Sequence, residues 1–129
     1  MIFVDANYFV RFLLGEDSQQ GREVKRVFDL GSSGEEQLIG STVVFFEVYW
    51  VLHSYYELKK EKLKDALTRV LALKFVRFEE RDLLEEAVTM LPNTNYDLED
   101  AYHLVWAKKM GVEQIASFDK KLLREWAKL

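Results

Sequence analysis

The stretch MIFVDANYFVRFLLG, residues 1–15, sets the pattern for the whole chain. Ile2, Phe3 and Val4 form a short β-prone apolar run, Asp5 breaks it, and Tyr8 to Leu14 carries a helix-like apolar stretch closed by Gly15. The order is strand, acid, helix.

That order recurs further along. Val24, Val27 and Phe28 fall at helical spacing between Ser18 and Leu30, and Gly31 is placed to stop the helix. GSSGEEQ, residues 31–37, reads as a loop, and Leu38 and Ile39 as a second strand. Gly40 and Ser41 make a turn and cap. Thr42 to Tyr56 then forms a helix that is apolar over most of its circumference, which predicts a largely buried element. Leu63, Leu67, Val70 and Leu71 mark a helix over 60–73, Phe75 to Phe78 a third strand, and Glu79 to Met90 another helix. Pro92 opens a loop, LPNTNY, before a helix from Asp97 to Met110 whose last turn carries Lys108 and Lys109, matching the negative end of its dipole. Gln114 to Ser117 reads as a fourth strand and Asp119 to Lys128 as the final helix. Such alternation implies an α/β domain: a parallel sheet with helices on both faces and right-handed crossovers.

Size and composition bound the function. The 129 residues suit a single domain over 1–129, and 49% apolar with 14% aromatic residues suffices for its core. With no cysteine, thiolate metal sites and cysteine nucleophiles are excluded, so any metal is held by oxygen or imidazole. The N-terminal apolar run is broken by Asp5 and Asn7 and has no basic flank, so it is not read as a signal peptide. Even TVVFFEVYWVL carries Glu47 in its middle, which argues against a membrane span. A soluble, cytoplasmic protein is expected. The net charge of -4 argues against non-specific binding of nucleic acid by phosphate neutralisation alone, but it suits a site where acids gather divalent cations that reverse the local charge.

In open parallel sheets ligands bind beyond the carboxyl ends of the strands. Asp5 follows the first strand directly, and Asp119 lies two residues after Ser117 in the expected fourth. Glu47 interrupts a nearly continuous apolar run, and Asp97 and Asp100 share one face at a helix start. Magnesium and manganese prefer such hard oxygen ligands, and need one or two carboxylates per ion plus a substrate phosphate. Bound ions of this kind activate water for phosphodiester hydrolysis.

Each acid also has a simpler explanation. Asp5 is a turn former after a strand; Asp97, Asp100 and Asp119 are helix caps or first-turn acids; Glu47 is one half of a solvent-side salt bridge. Against the last stand Val43, Val44, Trp50 and Val51, which make the neighbourhood of Glu47 apolar, and a lone buried carboxylate is costly unless paired or metal-bound.

Taken together, FVDANYFVRFLL, STVVFFEVYWVL, YDLEDAYHLVWAKKMG and IASFDKKL resemble, in order and spacing, the four acidic segments of PIN-domain proteins, particularly VapC-type toxins of toxin-antitoxin pairs. The resemblance spans Met1 to Leu123. It implies a three-layer α/β/α fold with a central parallel sheet of four or five strands. It places Asp5, Glu47, Asp100 and Asp119 as catalytic, metal-binding acids, with Asp97 an accessory acid and Asn7 and Ser117 as polar supports. Mg²⁺- or Mn²⁺-dependent cleavage of RNA, a homodimer and a cognate antitoxin partner are implied with it. Ala6 departs from the hydroxyl residue that the family often has there, which removes one supporting contact and leaves the acids intact.

Other residues carry weaker signals. Arg11, on the first helix, is placed for an RNA phosphate or a carboxylate of the antitoxin, its alternative being a solvated side chain. Lys120, Lys121 and Arg124 follow Asp119 and have the charge to guide a phosphate backbone. His103 and His53 read as ordinary histidines rather than ligands. Phe45, Phe46, Tyr49, Trp50, Tyr55 and Tyr56 exceed what one core face needs, so an exposed aromatic surface is expected. Two rivals remain: phosphoryl transfer through an aspartyl intermediate at Asp5, which usually wants a second acid where Asn7 stands, and a catalytically silent module that binds RNA or protein.

Overall fold

The computed structural model describes residues 1–93 and 96–129. Three parallel strands, β1 (Ile2–Phe3), β2 (Leu38–Gly40) and β3 (Val76–Phe78), lie in that order, with Ile2 beside Leu38 beside Val76 and Phe3 beside Ile39 beside Arg77. Around them are α1 (Ala6–Leu14), α2 (Gln19–Ser33), α3 (Thr42–Trp50), α4 (Lys60–Leu71), α5 (Arg81–Met90), α6 (Leu98–Lys109) and α7 (Lys120–Ala127). This is the alternating α/β architecture expected. Among the described residues no helix is long and apolar enough to cross a membrane.

The pleat sorts the strand side chains. Leu38, Val76 and Phe78 point to one face and are buried, whereas Phe3 and Arg77 point to the other and are exposed. On the buried side Phe78 is the centre of an aromatic cluster, its ring 5.7 Å from Phe9 and 6.0 Å from Phe45, while Phe9 also meets Phe28 at 5.9 Å. These contacts tie α1, α2 and α3 to the sheet. On the other flank α5 packs along α6, and α4 contacts both α1 and α5. The Arg81 guanidinium donates to the carbonyls of Leu71, Leu73 and Val76, fastening the end of α4 to the start of β3.

Gly40 is where the sheet is tightest. A Cβ there would lie 2.6 Å from a ring carbon of Phe78, which Phe9 and Phe45 hold in place. Gly40→Ala is therefore expected to lower stability by about 1–3 kcal/mol through overpacking, read as a lower urea midpoint with an unchanged slope.

Four expectations need correction. The sheet has three strands among the described residues, not four or five. Residues 114–117 lie outside it: Ile115 is the one large apolar side chain in that segment and is only half-buried, which leaves little apolar burial to offset the ordering of another edge. Gly31 does not stop α2; the helix runs on to Ser33, and Gly34 at φ 84° provides the left-handed cap, its N–H meeting the Gly31 carbonyl. The helix expected over 42–56 changes character, with Val51–Tyr55 forming a π-helical turn closed by Tyr56 N–H to Val51 O at 3.3 Å. Finally, of the LPNTNY loop, Leu91–Asn93 form a 3-10 turn, and Thr94 and Asn95 lie outside the described residues.

Candidate metal centre

Because the strands are parallel, the chain leaves β1 and β2 at the same edge of the sheet. Asp5 emerges there from β1, and its Oδ1 accepts the Ala6 N–H at 2.8 Å, capping α1. Ser41 emerges from β2 and caps α3 through Val44 N–H at 3.0 Å. Glu47 lies further along α3, the helix that runs beside the first turns of α6: the Trp50 indole donates to Glu99 Oε1 at 2.5 Å, and the Phe46 ring meets Tyr102 edge-on at 5.3 Å.

Asp97 caps α6, its Oδ1 accepting Asp100 N–H at 3.0 Å, and Asp119 caps α7, its Oδ1 accepting from Lys121 N at 3.0 Å and Leu122 N at 3.2 Å. The Ser117 hydroxyl accepts the Asp119 N–H at 3.0 Å and so holds the turn that presents this acid. The simpler explanation as caps thus holds for Asp5, Asp97 and Asp119. It does not exhaust them, because capping engages one oxygen of each carboxylate and a carboxylate has two.

The electrostatics bring three of the acids together. Asp100, half-buried, has its carboxyl pushed above the usual range by burial first, then by the negative charges of Asp97 and Asp119; the Asp97 hydrogen bond and Lys121 act the other way. Acids from the starts of α6 and α7, far apart in sequence, therefore share one neighbourhood.

Glu47 corrects the expectation of a buried carboxylate, because its side chain is exposed. Positions 43 and 47 share the outward side of α3, where Val43 is 66% exposed, while Val44, Phe45, Val48 and Tyr49 take the core side. The apolar stretch is simply longer than the helix can bury.

One polar cluster escaped the sequence. Glu80, following β3, accepts hydrogen bonds from the Thr42 hydroxyl at 2.7 Å and from the Tyr102 hydroxyl at 2.8 and 2.9 Å, linking the starts of α3 and α5 to α6. Burial, then the hydrogen bond to Glu80 and its charge, push the Tyr102 phenol up to about 12. Its proton is then kept in the folded chain after the unfolded chain has lost its own, so this contribution to stability is present below pH ~10 and fades as pH rises towards 12. Ultraviolet titration at alkaline pH should show late phenols, Tyr49 and Tyr102 among them, of which Tyr102→Phe removes one.

The remaining candidates are dispersed. Asn7 is exposed on α1, lining a shallow cavity with Tyr8 and Arg11, and Arg11 pairs with Glu16 at 3.2 Å on the surface. His103 is exposed, its ring 6.3 Å from that of Tyr102. Of the aromatics expected to exceed the core, Tyr55 and Tyr56 are exposed, the former at 77%, whereas Phe45 and Tyr49 are buried; Val43 adds exposed apolar surface on α3. Lys60 escaped the sequence reading. Burial and Lys121 lower its pKa while Asp97 opposes them, which places it at the border of the acids; its only signal was the basic run that opens α4.

These donors fit a hard divalent cation in kind: all are carboxylates, and the negative charge around Asp100 is of the sort a cation offsets. As the side chains stand, no three Asp, Glu or His groups among the described residues converge closely enough to hold an ion. Ligation would require rotation, which the exposed Asp5, Glu47 and Asp119 side chains permit.

The PIN domain model matches residues 2–129. The chain is 24% identical to the VapC ribonuclease of Aquifex aeolicus (strain VF5) over 122 residues, 94% of this chain and 89% of that one. No solved structure matches the chain significantly. A match over nearly the whole length, on a fold that carries its acids at the ends of parallel strands and the starts of helices, shows that this chain belongs to the PIN domain family.

Proposed function

We propose that the chain is a Mg²⁺- or Mn²⁺-dependent endoribonuclease, a cytoplasmic toxin of a VapBC-type toxin-antitoxin pair. The observation that carries this reading is the shared neighbourhood of Asp97, Asp100 and Asp119, which puts two negative charges beside Asp100 that Lys121 offsets only in part. Kinship with a VapC ribonuclease supports RNA as the substrate and an antitoxin as the partner.

Asp5, Glu47, Asp100 and Asp119 would hold the cation, with Asp97 as accessory. When bound, the cation supplies a water of lowered pKa and positive charge for the attacked phosphate. The chain's own residues do the positioning. Asp5, Asp97 and Asp119 start their helices as caps that engage one carboxylate oxygen each, which places them near the site, and Ser117 steadies the Asp119 turn. Lys60 and Lys121, within electrostatic range of one another and of the acids, offer positive charge to the RNA backbone beside the cut. The exposed Val43 and Tyr55 offer apolar surface for a homodimer or an antitoxin to cover.

Incubation of the purified protein with a labelled RNA pool tests the reading. Fragments are expected with Mg²⁺ or Mn²⁺ and none after chelation with EDTA. Cleavage that persists in EDTA contradicts the metal-dependent mechanism; binding without cleavage under all metal conditions favours the silent module.

A further inference from the structure

The acids open onto a larger space. Between the π-helical turn after α3 and the start of α4 lies a cleft of about 610 Å³ whose walls include Tyr49, His53, Lys59, Lys60 and Asp97. Asp97 belongs both to this cleft and to the acidic group around Asp100. The cleft is therefore an extension of the candidate centre.

Its floor is aromatic. The His53 ring lies on Tyr49 with centroids 5.7 Å apart and planes 19° from parallel, and Trp50 meets it edge-on at 5.6 Å. Tyr49 is 2% exposed and anchored in the core, whereas His53 is exposed, so the histidine offers an accessible flat ring beside the buried phenol. The same cleft is lined by two ammonium groups, Lys59 and Lys60, and by the Glu57 carboxylate. Lys60 donates to the Tyr96 carbonyl at 3.3 Å and lies within electrostatic range of Asp97 and Lys121; Lys59 is exposed at the rim. A planar ring next to paired cations matches the two halves of a nucleotide, a base that stacks and a phosphate that takes positive charge. The space is of the size that small ligands fill.

We infer that this cleft holds one nucleotide of the RNA strand next to the cleaved phosphodiester, its base stacked on His53 and its phosphate met by Lys59 and Lys60. The inference rests on the ribonuclease reading above and adds to it a subsite that grips the strand through a base face. Stacking on a ring tolerates any base, so the subsite contributes affinity without selecting a sequence.

Steady-state cleavage of a short oligouridylate in Mn²⁺ tests it. His53→Ala is expected to raise KM about tenfold while leaving kcat within a factor of two, and His53→Phe, which keeps a flat ring, to hold KM near that of the unaltered protein. A ribose-phosphate oligomer without bases, used as a competitor, should inhibit the unaltered protein and His53→Ala equally. Lys59→Ala should weaken both ligands and flatten the salt dependence. Cleavage with an unchanged KM in His53→Ala overturns the subsite and leaves the ribonuclease reading standing. Loss of antitoxin binding in that variant, with KM unchanged, would assign the cleft to a protein partner instead. If the unaltered protein cleaves no RNA, both readings fall.

Discussion

Asp5→Asn is expected to abolish RNA cleavage, by roughly 100-fold or more, while leaving the fold intact; even residues that only support a metal ligand commonly cost about 10–100-fold. The substitution separates two roles that this side chain plays together. As the cap of α1, Asp5 accepts the Ala6 N–H, and asparagine caps a helix about as well. As a metal ligand, it contributes a negative charge that asparagine lacks. Thermal melting monitored by circular dichroism should therefore superpose on that of the unaltered chain, with the loss confined to turnover. Asp5→Ala is expected to lose turnover and, in addition, about 1 kcal/mol of stability from the missing cap. Equal cleavage by Asp5→Asn and the unaltered protein would place Asp5 among the structural caps only.

The largest effect on stability is expected from Phe9→Ala, about 3–5 kcal/mol. Phe9 is fully buried on α1 and packs between Phe28 of α2 and Phe78 of β3, so removing the ring opens a cavity at the point where two helices meet the sheet. A domain of this kind has about 5–15 kcal/mol in all. The variant should thus unfold at a much lower urea concentration, and the remaining folded fraction should cleave RNA at the normal rate per molecule, since the Phe9 ring is wholly buried against Phe28 and Phe78. A loss below 1 kcal/mol would mean that the aromatic cluster around Phe78 is not the core that holds α1 and α2.

Much of the architecture was written in local pattern. Two or three apolar β-prone residues ending in Asp5, Gly40 or Phe78 mark strands because a short buried strand needs little else, and the 3.6-residue spacing of Leu63, Leu67, Val70 and Leu71 fixes one face of α4. What failed did so where tertiary context outweighs local composition. Residues 114–117 read as a short strand but carry too few apolar side chains to bury. Glu47 sits in an apolar run, yet whether it is buried depends on which side of α3 meets the core, and Val43 beside it is left in solvent. The caps Asp97 and Asp119 were legible as caps, and Asp97 as a neighbour of Asp100 on one helix face, but the approach of Asp119 to Asp100 was not legible in local pattern. That depends on how α6 and α7 are placed. The Glu80 cluster was invisible for the same reason, its partners Thr42 and Tyr102 standing 38 and 22 residues away in the chain.

The most direct test of the central claim is X-ray diffraction from crystals soaked in Mn²⁺, with data collected at the manganese absorption edge. The proposed arrangement predicts an anomalous peak within about 2.0–2.3 Å of carboxylate oxygens from Asp100, Asp119 and Asp5, with the exposed acids rotated inward to meet it. Well-ordered acids with no peak between them at saturating Mn²⁺, or a peak held elsewhere on the surface, would contradict it.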